Sequence, residues 1–131
     1  NVGMEAVAEL TAQSVLTSDF LDSPEAGPLL EQMRSTFGEI PPDAYIATIE
    51  ATEDADLGPD LSRITAPTLV INGEFSTNSP VDTGPQGIGG RGIANGIRDG
   101  RLEVIKGARH LVMMERFQEV CDLIIEFLKE E

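Results

Sequence analysis

Apolar residues recur at helical spacing in the first part of the chain, crowd into two short central runs, and return to helical spacing near the end. Met4, Val7, Ala8 and Val15, set beside Glu5, Glu9 and Gln13, predict an amphipathic helix over 4–16. Ser18-Asp19 and Asp22-Ser23-Pro24 break it. Ser23, Pro24 and Glu25 then supply a capping hydroxyl, a first-turn proline and an acid for the positive end of a helix dipole. They predict a second helix with Leu29, Leu30, Met33 and Phe37 as its buried stripe and Gly38 at its end. A third opens at Pro41-Pro42-Asp43 and runs through Ala44, Tyr45, Ile46 and Ile49. Three short helices without an intervening strand predict a lid over 1–60 rather than part of a sheet.

The two central runs are Pro67 to Glu74 and Leu102 to His110. Each holds about five β-branched or apolar residues between breakers, too few for a helix and the usual length of a strand. The residues from Glu74 to Arg101 are far too many for a hairpin and enough for a crossover, so the strands are expected to be parallel and adjacent. That crossover is unusual in holding Gly84, Gly87, Gly89, Gly90, Gly92 and Gly96. Each glycine inside a helix costs up to about 1 kcal/mol against alanine, so the pattern predicts a helix only over 91–98 and a mobile segment over 82–92. Gly87, Gly89 and Gly92 match G-x-G-x-x-G by spacing alone, because the fingerprint has to follow a strand directly and here a long loop intervenes. Phe117, Val120, Cys121, Ile124 and Leu128 trace one face of a final helix, with Glu119, Asp122 and Glu126 opposite. Residues 61–131 thus read as a β-α-β-α unit, and the fold class as α/β. The single histidine, His110, lies just past the carboxyl end of the second strand, the edge of a parallel sheet where chemistry collects.

Composition narrows the partners. The 131 residues include 23 acids and nine bases, for a net charge of -14, which repels phosphate backbones and anionic membrane surfaces. No nucleic-acid or membrane partner is expected. The one cysteine, Cys121, cannot form an internal disulfide and reads as a packed thiol. No secretory leader is apparent and no apolar run approaches the ~18 residues of a membrane span, so a cytoplasmic chain is expected. Asp54 and Asp56 lack the glycine and glutamate that a cation loop requires at fixed offsets, and they read as a solvated turn. Neither a metal nor a cofactor is expected.

The order of these pieces resembles the carboxyl-terminal half of the α/β-hydrolase fold. Ile64-Thr-Ala-Pro67-Thr-Leu-Val-Ile-Asn-Gly73-Glu74 is similar to its seventh strand and following turn. Leu102-Glu-Val-Ile-Lys-Gly107-Ala-Arg-His110-Leu111, then Glu115 and the helix ending Ile124-Ile-Glu-Phe127-Leu128, is similar to its eighth strand, histidine loop and last helix. Pro42-Asp-Ala-Tyr45 and Asp54-Ala-Asp56-Leu57 bring the likeness nearer to 3-oxoadipate enol-lactonase-type ester hydrolases.

What the resemblance implies for His110 is the role of general base, taking the nucleophile's proton and returning it to the leaving group. Imidazole is the side chain whose charge changes near neutral pH, which suits that exchange. Two departures accompany it. Ser76 stands where the family's acid usually stands, leaving Glu74 and Asp82 as alternative acids at other positions. No serine, Ser76 and Ser79 included, lies in the G-x-S-x-G of a nucleophile elbow. Three functions stay open: the carboxyl-terminal portion of a hydrolase of a carboxylic ester or enol-lactone, inactive by itself; a non-catalytic binding module; and one subunit of a two-chain hydrolase whose partner brings the serine. A strand at Thr68 to Asn72 with one open edge further predicts a homo-oligomer or a missing partner chain.

Overall fold

The computed structural model describes residues 3–53, 55–82 and 88–130. Helix α1 (Met4–Val15) turns Ala8, Ala12 and Val15 inward, and its cap Leu16 is fully buried. Ala12, Val15 and Leu16 form a first apolar cluster with Phe20, Leu21, Leu29, Leu30, Met33 and Leu111. The short side chains of Ala8, Ala12 and Ala26, all buried, let α1 and α3 (Ala26–Gly38) approach closely.

The stretch read as a breaker holds one further turn of helix, α2 (Ser18–Leu21), because Thr17 caps it by accepting from the Phe20 amide at 3.3 Å. Ser23 does not act as the cap expected of it. Its carbonyl accepts from Ala26 N, its hydroxyl is buried without a partner, and α3 begins two residues later than the Ser-Pro-Glu signal suggests. Helix α4 (Pro42–Glu53) lies on the surface, with Tyr45 against Phe37 at 6.1 Å between ring centres and Ile46 and Ile49 about half exposed.

After a 3-10 turn (Gly58–Arg63), strands β1 (Thr68–Gly73) and β2 (Gly100–Ile105) pair in parallel from Thr68↔Gly100 to Gly73↔Ile105, as expected. Among the described residues no third strand joins them, so the outer edge of β1 is unpaired. Helix α5 (Gly89–Gly96) covers one face of the pair and α7 (Phe117–Lys129) the other, where Val120 and Leu123 meet Ile71, Ile105, Ala108 and Val112.

Two expectations need correction. Residues 83–87 of the segment read as mobile lie outside the described residues, but Gly89 and Gly90 are buried and start α5. A Cβ on Gly90 would sit 2.7 Å from Asn72 Oδ1, and one on Gly96 2.8 Å from the Leu61 side chain. The glycines that weaken this helix by propensity are what let its backbone reach its neighbours. The second correction concerns α7, whose inward side is Val120, Leu123 and Phe127, with the Arg101 guanidinium 5.4 Å above the Phe127 ring. Of the stripe read as buried, Phe117, Ile124 and Leu128 are 67%, 42% and 64% exposed.

The carboxyl end of β1 runs close beneath the loop that leaves β2. A Cβ on Gly73 would lie 1.9 Å from the Arg109 carbonyl oxygen, nearer than any atom can approach, while Gly27 in α3 has open space around it. Gly73→Ala is therefore expected to lower stability by about 2 kcal/mol or more by forcing these backbones apart. Gly27→Ala should leave it unchanged or raise it by up to about 1 kcal/mol. Urea midpoints of the two variants give the comparison.

Candidate functional site

His110 lies on a loop fixed at both ends. At its start Glu74 N donates to Ile105 O at 3.0 Å and Phe75 N to Ala108 O at 2.9 Å, tying the end of β1 to the turn after β2. At its far end comes the one-turn helix α6 (Val112–Glu115), which turns Val112 and Glu115 inward. Glu115 is only 8% exposed and serves two backbone donors. One carboxylate oxygen accepts from Arg109 N, beside the histidine, and the other from Thr17 N, the cap of α2. Leu111 N donates to Val15 O at 3.0 Å, and the Arg109 guanidinium donates to Gln13 O. The carboxyl end of α1 is thereby fastened to the histidine loop.

Ser76 follows from the turn that ends β1, where its own N–H donates to Gly73 O at 3.1 Å. Its side chain, 6% exposed, stands 3.2 Å from His110 Nδ1. Ser79 N donates to Ser76 Oγ at 3.2 Å, and buried Asn72 holds that turn by donating from Nδ2 to Ser79 O at 3.0 Å. The histidine itself is exposed.

The structure thus brings together His110 and Ser76, and it gives the two alternative acids other partners. Glu74 accepts from Gly107 N at 2.9 Å, bracing the turn after β2, and Asp82 pairs with the Arg91 guanidinium at 2.6 Å. Neither carboxylate bonds the imidazole. A hydroxyl in their place can orient the ring, but it brings no charge to stabilise an imidazolium. Ser79 takes part only through its backbone. Among the described residues, no group of three or more His, Cys, Asp or Glu side chains is arranged to hold a metal.

The roles of two residues of this network are not read from the sequence. Glu115 carried a signal in being an acid three positions from Val112 on the inward side of a turn, whereas nothing in the strand pattern marks Asn72 as a clamp for Ser79. Two cavities flank the seam between α2–α3 and the loop. One, of about 460 Å3, is lined by Phe20, Leu29, Met114, Glu115 and Phe117, and the other, of about 340 Å3, by Thr17, Phe75, Arg109 and Arg116 among others. His110 lines neither.

No protein-family model matches the sequence. The structure is similar to the enol-lactonase from Burkholderia xenovorans LB400, with a TM-score of 0.79 and 26% identity over 96% of this chain and 45% of that one. It is similar to a hydrolase from Pseudomonas aeruginosa PA01, with a TM-score of 0.80 and 26% identity over 98% of this chain and 45% of the other. A thermophilic esterase from Thermogutta terrifontis, solved with malate, matches with a TM-score of 0.72 and 27% identity over 95% and 43%. The chain therefore spans less than half the length of each of these three proteins.

Removing the Glu115 carboxylate leaves the Thr17 and Arg109 amides without their acceptor in a place water reaches poorly. Glu115→Ala is expected to cost about 2–3 kcal/mol. It should also speed hydrogen exchange at Thr17, Arg109 and Leu111 more than at β1. Uniform acceleration throughout the chain would mean that Glu115 does not join the helices to the loop.

Proposed function

We propose, from the premise that this chain carries the carboxyl-terminal half of an α/β-hydrolase fold, that it is the histidine-bearing portion of a hydrolase of a carboxylic ester or enol-lactone and is inactive by itself. In this reading residues 1–60 form the cap, residues 61–131 the end of the core, and His110 occupies the general-base position. The observation that carries it is the contact of Ser76 with His110 Nδ1 at the carboxyl ends of two parallel strands, where the resemblance sets the acid and the base. The separate apolar clusters of α1–α3 and of the sheet support the division into cap and core. The small-molecule ester or lactone is the partner of the whole enzyme, and its chemistry needs a nucleophile and oxyanion donors that this chain does not offer.

A second reading, one subunit of a two-chain enzyme or of a homo-oligomer, is favoured by a different observation. Among the described residues, the edge of β1 has no pairing strand, and Phe117, Ile124 and Leu128 of α7 are exposed apolar groups. A parallel sheet is ordinarily covered and paired on both sides. No described helix is long and apolar enough to cross a membrane.

The isolated chain should not hydrolyse p-nitrophenyl acetate above buffer, with His110→Ala as the control. Turnover that disappears in His110→Ala would show a nucleophile within this chain, with Ser76 and Ser79 the first to replace. Light scattering at micromolar concentration should find at least a dimer unless the missing half is supplied. A cooperatively melting monomer would sink the idea that β1 and α7 are unfinished surfaces.

A further inference from the structure

We infer that Ser76 is a positioning residue that holds the neutral ring of His110 with its proton on Nε2, so that the nitrogen pointing away from Ser76 is a donor and not a base. The inference deepens the reading above and rests on it only for its functional consequence. The bond itself follows from the donors and acceptors around one buried hydroxyl.

Ser76 Oγ has one proton to donate and lone pairs to accept with. One lone pair takes the Ser79 amide at 3.2 Å, a donor whose direction cannot change because it is a backbone N–H. The other neighbour is His110 Nδ1, also at 3.2 Å. Among the described residues, no other acceptor bonds this hydroxyl, and the residue is only 6% exposed. If Nδ1 carried the proton, two N–H groups would converge on Ser76 Oγ while the hydroxyl proton had nowhere to go. If Nδ1 is bare, the hydroxyl donates to it, the Ser79 amide donates to the hydroxyl, and all three groups are satisfied. Leaving a buried donor unmade is the costlier state, which favours the second arrangement by about tenfold. Asn72 protects it, because its grip on Ser79 O keeps the Ser79 amide turned toward Ser76.

A carboxylate in the same place would do the opposite. It has no proton to give, so the neutral ring bonds it only as Nδ1–H, and that leaves the Nε2 lone pair free to take a proton from a nucleophile. Serine is therefore not a weakened acid at this position but a reversal of the bond. A hydroxyl nucleophile brought against His110 by a missing half or a partner would meet N–H instead of a lone pair. The site as it stands is arranged to donate a hydrogen bond, and a base at Nε2 requires Ser76 to be replaced or to turn.

Because the chain has one histidine, a long-range proton–nitrogen correlation spectrum of the full 15N-labelled chain shows a single imidazole. At a pH high enough to leave the ring neutral, Nδ1 should show the shift of a bare nitrogen and Nε2 that of a protonated one. The ratio of the two tautomers should exceed that of Ser76→Ala by about tenfold. Ser76→Asp should invert the pattern, with the proton on Nδ1. A native spectrum with the proton on Nδ1 would overturn the inference whether or not either variant folds, and so would a native ratio equal to that of Ser76→Ala. The outcome is separate from ester turnover: hydrolysis that depends on His110 would overturn the functional reading, while the spectrum alone decides the tautomer.

Discussion

The crossing of the end of β1 beneath the loop that leaves β2 is the contact on which the rest of the site depends. It requires Gly73, since any side chain there would occupy the Arg109 carbonyl. Once the two backbones lie this close, Glu74 N and Phe75 N reach Ile105 O and Ala108 O, the chain turns at Ser76, and the hydroxyl arrives beside the imidazole. Glu115 then works from the other side. By accepting from both Thr17 and Arg109, its carboxylate makes the amino-terminal helices and the histidine loop parts of one hydrogen-bonded unit, so the loop cannot shift without disturbing α1 and α2.

Beyond that junction the molecule is thinly packed. Among the described residues only Leu16 and Ile105 are large side chains buried almost completely, and the two apolar clusters are small. Burial of apolar area is the main favourable term in folding, and the unpaired edge of β1, the outward stripe of α7 and the exposed isoleucines of α4 are area not yet removed from water. The chain also covers only 45% of the Burkholderia xenovorans enol-lactonase it resembles. The exposed surfaces and the partial coverage are both accounted for by the reading proposed above, in which these elements pack on others.

Ser76 meets His110 Nδ1 with a hydroxyl, which can orient the ring but brings it no charge. The nearby acids Glu74 and Asp82 do not supply one. Each carboxylate is already held by a closer donor, Gly107 N or the Arg91 guanidinium, and each would have to give up that bond to reach the ring.

Local pattern was enough to define the parallel strands, because a β-branched run of five between breakers has few other options and the distance from Glu74 to Arg101 excludes a hairpin. It was enough for α1 and for the extent of α7, whose periods are clear. It misjudged the glycine-rich crossover, since propensity counts what glycine loses in a helix but not the backbone approach to Asn72 and Leu61 that only glycine allows. It misjudged the inward side of α7 for a related reason. Periodicity says which residues share a face, and a helix with apolar residues on two adjoining faces can turn either one to the sheet. Only the tertiary structure decided that Val120, Leu123 and Phe127 go in, that Glu115 spans the cap and the loop, and that Ser76 rather than a carboxylate meets His110. Those outcomes depend on which groups from distant parts of the chain arrive within hydrogen-bonding reach, and no local pattern encodes that.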